Sequence, residues 1–152
     1  MLLTTQILIT VATVGYCVIP TIFDMNKSHA TNPTWTGHAR YHVVWQVSSY
    51  DLIALIGLYL TWTADAGGDG LWIPALIALA TYGGFWIAWA TQALYGGVLQ
   101  DAVNGVPDVH YDILGKRFAV DANVSLFLPL FLLNVAAVVF AFSLGDPGVA
   151  GH

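Results

Sequence analysis

Two histidines with helical spacing, His38 and His42, are the first residues in this sequence whose types and positions could perform chemistry. Residues four apart lie on the same face of a helix, so the two imidazoles are expected to be neighbours. Imidazoles titrate near neutral pH and can act as general acid and base, while the H-x-x-x-H spacing is also typical of metal ligands. We therefore predict that both histidines are catalytic, and we keep the metal alternative open.

The segment around these histidines is rich in other polar and aromatic side chains. A helix that begins near His38 would carry a polar face past His42 and into the next apolar stretch of the chain. Four side chains on or beside this face are predicted to bind a ligand: Trp35, Arg40, Trp45 and Gln46.

A metal site is the alternative interpretation of the histidines. His29 precedes the pair in the same polar segment, and His110 lies in a later one. Neutral imidazoles are common metal ligands. His29, His38, His42 and His110 could therefore hold one metal ion together, and the sequence leaves any other cofactor unknown.

Asp51 is the third residue predicted to be catalytic, because it lies where a charge is costly. It follows His42 by nine residues, about 13 Å along a helix, in the middle of an apolar stretch. A carboxylate there costs several kcal/mol unless it is paired, hydrated or protonated. We expect Gln92 and Asn134, at similar depths in later stretches, to be its partners. In this hypothesis, Asp51→Asn abolishes ligand binding or turnover while the protein still assembles.

Aromatic residues in the third apolar stretch could form the apolar wall of the same site. Trp86 and Trp89 share a broad helical face with Gln92. Aromatic side chains around one buried polar group are typical of a pocket for a hydrophobic ligand. We therefore predict that Trp86, Trp89, Gln92 and Asn134 also bind the ligand.

The composition indicates that these residues belong to a membrane protein. Of 152 residues, 57% are hydrophobic and only 9% are charged, whereas a soluble domain is about a quarter charged. The four basic residues are too few to bind nucleic acid. The single cysteine excludes an internal disulfide framework. A single small integral membrane domain is the class that remains.

Four apolar stretches are long enough to cross a bilayer as helices. They lie at residues 2–23, 43–63, 71–99 and 124–142. We therefore predict that residues 1–152 form an all-α, four-helix membrane bundle. Loops 24–42 and 100–122 contain all four basic residues, so the positive-inside rule places both loops in the cytoplasm and both termini outside it. The expected location is a bacterial inner membrane.

One segment resembles a motif of a small family of bacterial and fungal membrane proteins. That motif, H-x-x-N-P-x-W-x-x-H-A-R-[FY]-H, corresponds here to the run from His29 to His42. The resemblance implies a four-span architecture and no particular reaction. A weaker likeness in size and layout is to the emopamil-binding, sterol-isomerase-like bundles, which use paired Glu and His. This chain has no Glu, so that likeness implies architecture at most.

Three functions are compatible with these features. The first is binding or transformation of a hydrophobic small molecule (a lipid, isoprenoid or sterol-like compound) at the His/Asp/Trp site on the cytoplasmic side. The second is a non-enzymatic accessory subunit of a larger membrane complex, or a homo-oligomer, with the polar loop as a docking surface. The third is a His-ligated metal site. The expected partners are membrane lipid, a hydrophobic small molecule and another membrane protein, and the sequence leaves open whether the chain is an enzyme.

Overall fold

Four long helices form most of the structure. In the computed structural model, which describes residues 1–65, 68–101, 103 and 105–144, they are α1 (Leu2–Asp24), α2 (Gly37–Thr63), α3 (Trp72–Thr91) and α4 (Ala122–Leu144). Each is long and apolar enough to cross a membrane. The prediction of four helices of membrane-spanning length is confirmed. The carboxyl end of the predicted domain, residues 145–152, lies outside the described residues.

Helices α1 and α3 each pack against all three of the other helices. Buried apolar side chains form two clusters between the helices. The first consists of Ile9, Leu71, Ala75, Ala137 and Ala141. The second consists of Ala12, Tyr16, Ala54, Ala78 and Tyr82. Alanine predominates in both clusters, and small residues let helix backbones approach closely.

Helix α2 begins before the predicted apolar stretch. Its first residue is Gly37, and the Oγ1 of Thr36 accepts a hydrogen bond from the backbone N–H of Ala39 at 3.2 Å. A threonine cap of this kind satisfies a backbone donor that has no partner within the helix. His38 and His42 therefore lie in the opening turns of α2, where their spacing brings them together.

Helix α3 ends earlier than predicted. It ends at Thr91 and continues only as a 3₁₀ turn over Gln92–Leu94, rather than reaching residue 99. Gly96 follows with a φ of 68°, a left-handed conformation that favours glycine and commonly ends helices. The N–H of Gly97 donates to the carbonyl of Gln92 at 2.8 Å. The apolar residues after this point belong to the connection and not to a helix.

The expectation of an all-α chain is wrong in one segment. The connection between α3 and α4 contains an antiparallel hairpin of β1 (Val109–Ile113) and β2 (Lys116–Val120). Leu114 and Gly115 form its two-residue turn, with φ angles of 53° and 74°, as in a type I′ turn. The alternation of apolar and polar residues along β1 is a strand pattern. Because the hairpin segment is short and partly charged, its hydropathy indicated a loop.

Candidate functional site

A cavity of about 340 Å³ lies at the end of the bundle where the two predicted cytoplasmic loops meet. We call it the loop-end cavity. All four helices contribute to its wall, and its volume is within the range of small-molecule sites. Its main apolar lining residues are Ile19, Phe23, Phe85, Leu99, Leu126 and Phe127. Its polar lining includes Asp24, Ser28, His29, Gln46, Tyr50 and Asn123.

One face of α3 lines the loop-end cavity and has open space beside it. Gly84, Phe85 and Ala88 line the loop-end cavity from this face, and a Cβ atom added at Gly84 would meet nothing within 4 Å. Phe85 stacks on Phe127 of α4, with ring centroids 4.7 Å apart and planes inclined by 12°. Small side chains beside a pair of stacked aromatic rings therefore leave room for an apolar ligand.

Three neighbouring polar residues line the cavity: Asp24 at the end of α1, and Ser28 and His29 in the loop that follows. The Nδ1 atom of His29 lies 2.7 Å from the Oγ of Ser28 and 3.6 Å from an oxygen of Asp24. The Ser28 hydroxyl also donates toward the carbonyl of Phe23 at 2.8 Å and the Oδ1 of Asn26 at 2.9 Å.

These contacts favour one tautomer of His29. The Ser28 hydroxyl has a single proton and two oxygen acceptors besides the imidazole, and Asp24 can only accept while ionised. A proton on Nδ1 of His29 satisfies this arrangement, because Nδ1 then donates to Ser28 and faces the carboxylate of Asp24. The other ring nitrogen, Nε2, keeps its lone pair and is left to accept a hydrogen bond or a proton.

The loop that presents His29 is fixed by two residues of the predicted motif. Asn32 is 1% exposed, its Nδ2 donates to the carbonyl of Ser28 at 2.9 Å, and its Oδ1 accepts from the backbone N–H of Thr34 at 3.0 Å. Trp35 packs edge-on against the ring of His29, with centroids 5.1 Å apart. Trp35 therefore positions His29, and it does not itself line the cavity.

His38 and His42 come together as their spacing predicts, but they lie outside the cavity. Their Nε2 atoms are 3.0 Å apart, both side chains are exposed, and Trp45 stacks on His42 with centroids 5.8 Å apart. None of these three residues, nor Arg40, lines the loop-end cavity. The predicted residue from this helix that does line it is Gln46, whose Nε2 donates to the hydroxyl of Tyr50 at 3.1 Å.

Asp51 has partners other than the two that we predicted. Its Oδ1 accepts hydrogen bonds from the Sγ of Cys17 at 3.1 Å and the Oγ1 of Thr21 at 3.0 Å, both on α1. Asn134 is fully buried elsewhere and donates to the carbonyl of Ala75 at 3.3 Å. Asp51 therefore joins α1 to α2 and does not line the loop-end cavity.

The aromatic residues predicted on α3 lie on a neighbouring face of that helix. Trp86 packs against Phe131 of α4, with centroids 6.0 Å apart, whereas Trp89 is 46% exposed. Gln92 lies in the 3₁₀ turn. None of the three lines the loop-end cavity. The residues that sequence reasoning missed include Gly84 and Phe85, and the signal that could have found them is the small residue at 84.

The described residues do not form the metal site of the alternative interpretation. No group of three or more His, Cys, Asp or Glu side chains there comes together in a way that could hold an ion. His38 and His42 form an isolated pair, and His29 lies beside Asp24. His110 lies in β1, paired with Ala119 of β2.

The long connection between α3 and α4 has two parts with different surroundings. Asp101, Gly105 and Val106 line the loop-end cavity, and the Nε2 of Gln100 donates to the carbonyl of Val106 at 3.0 Å. The hairpin that follows is exposed along nearly its whole length. Only the first part of this connection contributes to the site.

Comparison with known proteins does not identify the chain. It matches no family model, no curated protein and no solved structure. The resemblance of the His29–His42 segment to a four-span membrane family therefore stays a prediction. The function has to be argued from the geometry of the site.

Proposed function

We propose that this chain is an integral membrane protein that binds a hydrophobic small molecule, a lipid, isoprenoid or sterol-like compound, in the loop-end cavity. The observation that carries this proposal is the cavity of about 340 Å³, whose lining is largely apolar and includes a few polar side chains. Ligand sites are typically cavities of this kind, with apolar walls and a few polar groups that fix orientation. A ligand with an apolar body and one polar head fits such a lining.

The charges around the cavity favour a neutral or cationic head. Asp24 and Asp101 are among its lining residues, and no Lys or Arg is among those that the structure describes. An anionic head would be desolvated beside the carboxylate of Asp24, and no Lys or Arg among the described lining residues would compensate its charge. A hydroxyl or an amine could instead donate to Asp24 or to the Nε2 of His29.

His29 also supplies a group that could exchange a proton with the bound molecule. Its Nδ1 is engaged by Ser28 and faces Asp24, and an imidazole oriented in this way is a usual general base or acid. Ligand binding is the proposed function, and proton transfer at His29 is the chemistry that this geometry would support.

We further propose that the cavity opens on the cytoplasmic side of a bacterial inner membrane, with both termini on the other side. All four basic residues, Lys27, Arg40, Lys116 and Arg117, lie at the loop end of the bundle. Basic residues concentrate in cytoplasmic loops, which supports this orientation.

The proposal is tested with photoreactive ligands that differ in their head groups. Purified chain in mild detergent is irradiated with a photoreactive sterol, a photoreactive long-chain amine or a photoreactive fatty acid, and labelled peptides are mapped by mass spectrometry. We expect the sterol or the amine to label peptides containing Phe85 or Phe127. The fatty acid should label them weakly, because its carboxylate is repelled by Asp24.

Asp24→Asn serves as the matched variant in this experiment. It keeps the size of the side chain and removes one negative charge, so labelling by the fatty acid should rise relative to the amine. Failure of all three probes to label the cavity, together with a large partner that co-purifies in stoichiometric amounts, would favour the accessory-subunit hypothesis instead.

Asp51→Asn distinguishes the cavity from the polar face of α2 as the location of the site. We expect this variant to assemble and to be photolabelled like the wild type, because an asparagine oxygen can still accept from Cys17 and Thr21 and the residue does not line the cavity. Size-exclusion chromatography reports assembly. If labelling is abolished in an assembled protein, the site lies at Asp51 and the cavity assignment is wrong.

A further inference from the structure

The β1–β2 hairpin has one apolar face and one polar face. Cross-strand partners point to the same side of a sheet. On one side the register brings together Val109 with Val120 and Tyr111 with Phe118, and next to the turn Ile113 with Lys116. We call the five apolar residues on this side the apolar face of the hairpin. The other side carries His110 with Ala119 and Asp112 with Arg117.

Nothing among the described residues covers the apolar face. Every strand residue except Val120 is exposed, and Ile113 and Phe118 are 56% and 47% exposed. An isolated two-stranded hairpin is marginally stable in water. Its apolar face is therefore expected to gain stability from an apolar surface outside the described chain.

The turn of the hairpin contains an unusual residue. Leu114 is 98% exposed and has a φ of 53°, where asparagine or glycine is the usual choice in a type I′ turn. A leucine at this position strains the turn and exposes an apolar side chain at its tip. Contact with an apolar environment would offset both costs.

The membrane surface is the apolar environment nearest to this hairpin. One residue, Asp121, separates β2 from the membrane-length helix α4. The Oδ1 of Asp121 accepts from the backbone N–H of Asn123 at 2.8 Å at the start of α4. The hairpin therefore ends where α4 begins. Lys116 and Arg117, next to the turn, are two of the four basic residues in the chain. Basic residues beside an apolar surface are typical of segments that bind anionic lipids.

We propose that the β1–β2 hairpin docks on the anionic phospholipid surface of the membrane that the chain spans. The apolar face and Leu114 enter the interface, and Lys116, the cross-strand partner of Ile113, contacts lipid phosphate groups. This inference rests on the proposed membrane location and is independent of the ligand in the loop-end cavity.

The proposal is tested with a fluorescent label on either face of the hairpin. In a Cys17→Ser background, Ile113→Cys and Asp112→Cys place an environment-sensitive dye on the apolar and polar faces of adjacent residues. The full chain is reconstituted in nanodiscs of phosphatidylcholine and phosphatidylglycerol, with or without nitroxide lipids. We expect a blue-shifted emission that nitroxide lipids quench at position 113, and neither effect at position 112.

Two further variants separate lipid contact from a structural role. Leu114→Asn relieves the strained turn, so it should tighten the hairpin and yet reduce quenching at position 113. Lys116→Gln should lower the ratio of docked to undocked hairpin roughly fivefold with phosphatidylglycerol and leave it unchanged in pure phosphatidylcholine. Circular dichroism checks that the helices are retained in both variants.

Equal quenching at positions 112 and 113, or no quenching at either, would overturn the proposal. Protection of position 113 in native membranes without quenching in nanodiscs would also overturn it, because that result assigns the apolar face to a protein partner. Both outcomes leave photolabelling of the loop-end cavity unaffected, so failure of this inference is distinguishable from failure of the proposed function.

Discussion

Gly84→Leu should abolish ligand binding while leaving the bundle assembled. Gly84 lines the loop-end cavity, and a Cβ atom there meets nothing within 4 Å. The isobutyl group of leucine would therefore occupy the space proposed for the ligand without displacing the protein. We expect photolabelling by the sterol or the amine to fall at least about tenfold, which corresponds to about 1.4 kcal/mol of binding free energy.

Gly83→Leu is the matched control for this prediction. The neighbouring glycine also has open space around an added Cβ atom, but it does not line the cavity. Both substitutions raise the helix propensity of α3 by the same amount, so a general effect on the helix would appear in both. Equal labelling of the two variants would show that the ligand does not occupy the loop-end cavity.

Gly15→Ala should destabilise the bundle more than any other alanine substitution of a described helical glycine. An added Cβ atom would lie 2.7 Å from the Cδ1 of Leu130 and 2.7 Å from the hydroxyl of Tyr82. That hydroxyl is buried and donates to the carbonyl of Ala12 at 2.7 Å, so the clash also displaces a buried hydrogen bond. We expect a loss of about 1–3 kcal/mol in unfolding free energy.

Gly57→Ala is the control, because Gly57 is also buried between helices α1 and α2. Its added Cβ atom would lie 3.7 Å from the hydroxyl of Tyr16, an ordinary contact distance. Alanine also has a higher helix propensity than glycine, so this variant should be neutral or slightly stabilised. Thermal unfolding of both variants in detergent, followed by circular dichroism, measures the difference. A melting temperature of Gly15→Ala equal to that of Gly57→Ala would contradict the close packing at Gly15.

Local spacing predicted local features of the site well. The H-x-x-x-H spacing placed His38 and His42 in contact, and the polar segment before α2 was expected to lie beside a site at this end of the bundle. Gln46, which was predicted to bind a ligand, lines the cavity, as does His29, which was predicted only as a metal ligand. The contact between the two histidines follows from helix periodicity, which a sequence shows directly.

Predictions that depended on how one helix is rotated relative to another differ from the structure. The predicted aromatic wall on α3 was Trp86 and Trp89, whereas the cavity is lined by Gly84 and Phe85. Asp51 was expected to meet helices α3 and α4, and it bonds instead to Cys17 on α1. In each case the sequence indicated the residue type and its depth along the helix. It did not indicate the direction in which the side chain points.

The sequence by itself determined the number of membrane-length helices and the end of the bundle at which the basic residues lie. These depend on composition and on the length of apolar stretches. Only the tertiary structure decided which faces of the helices enclose the cavity and that a hairpin extends from the bundle. The reason is that lipid and protein interior are both apolar, so a membrane-length helix such as α3 carries apolar residues on every face. Its inward side is set by packing against the other helices.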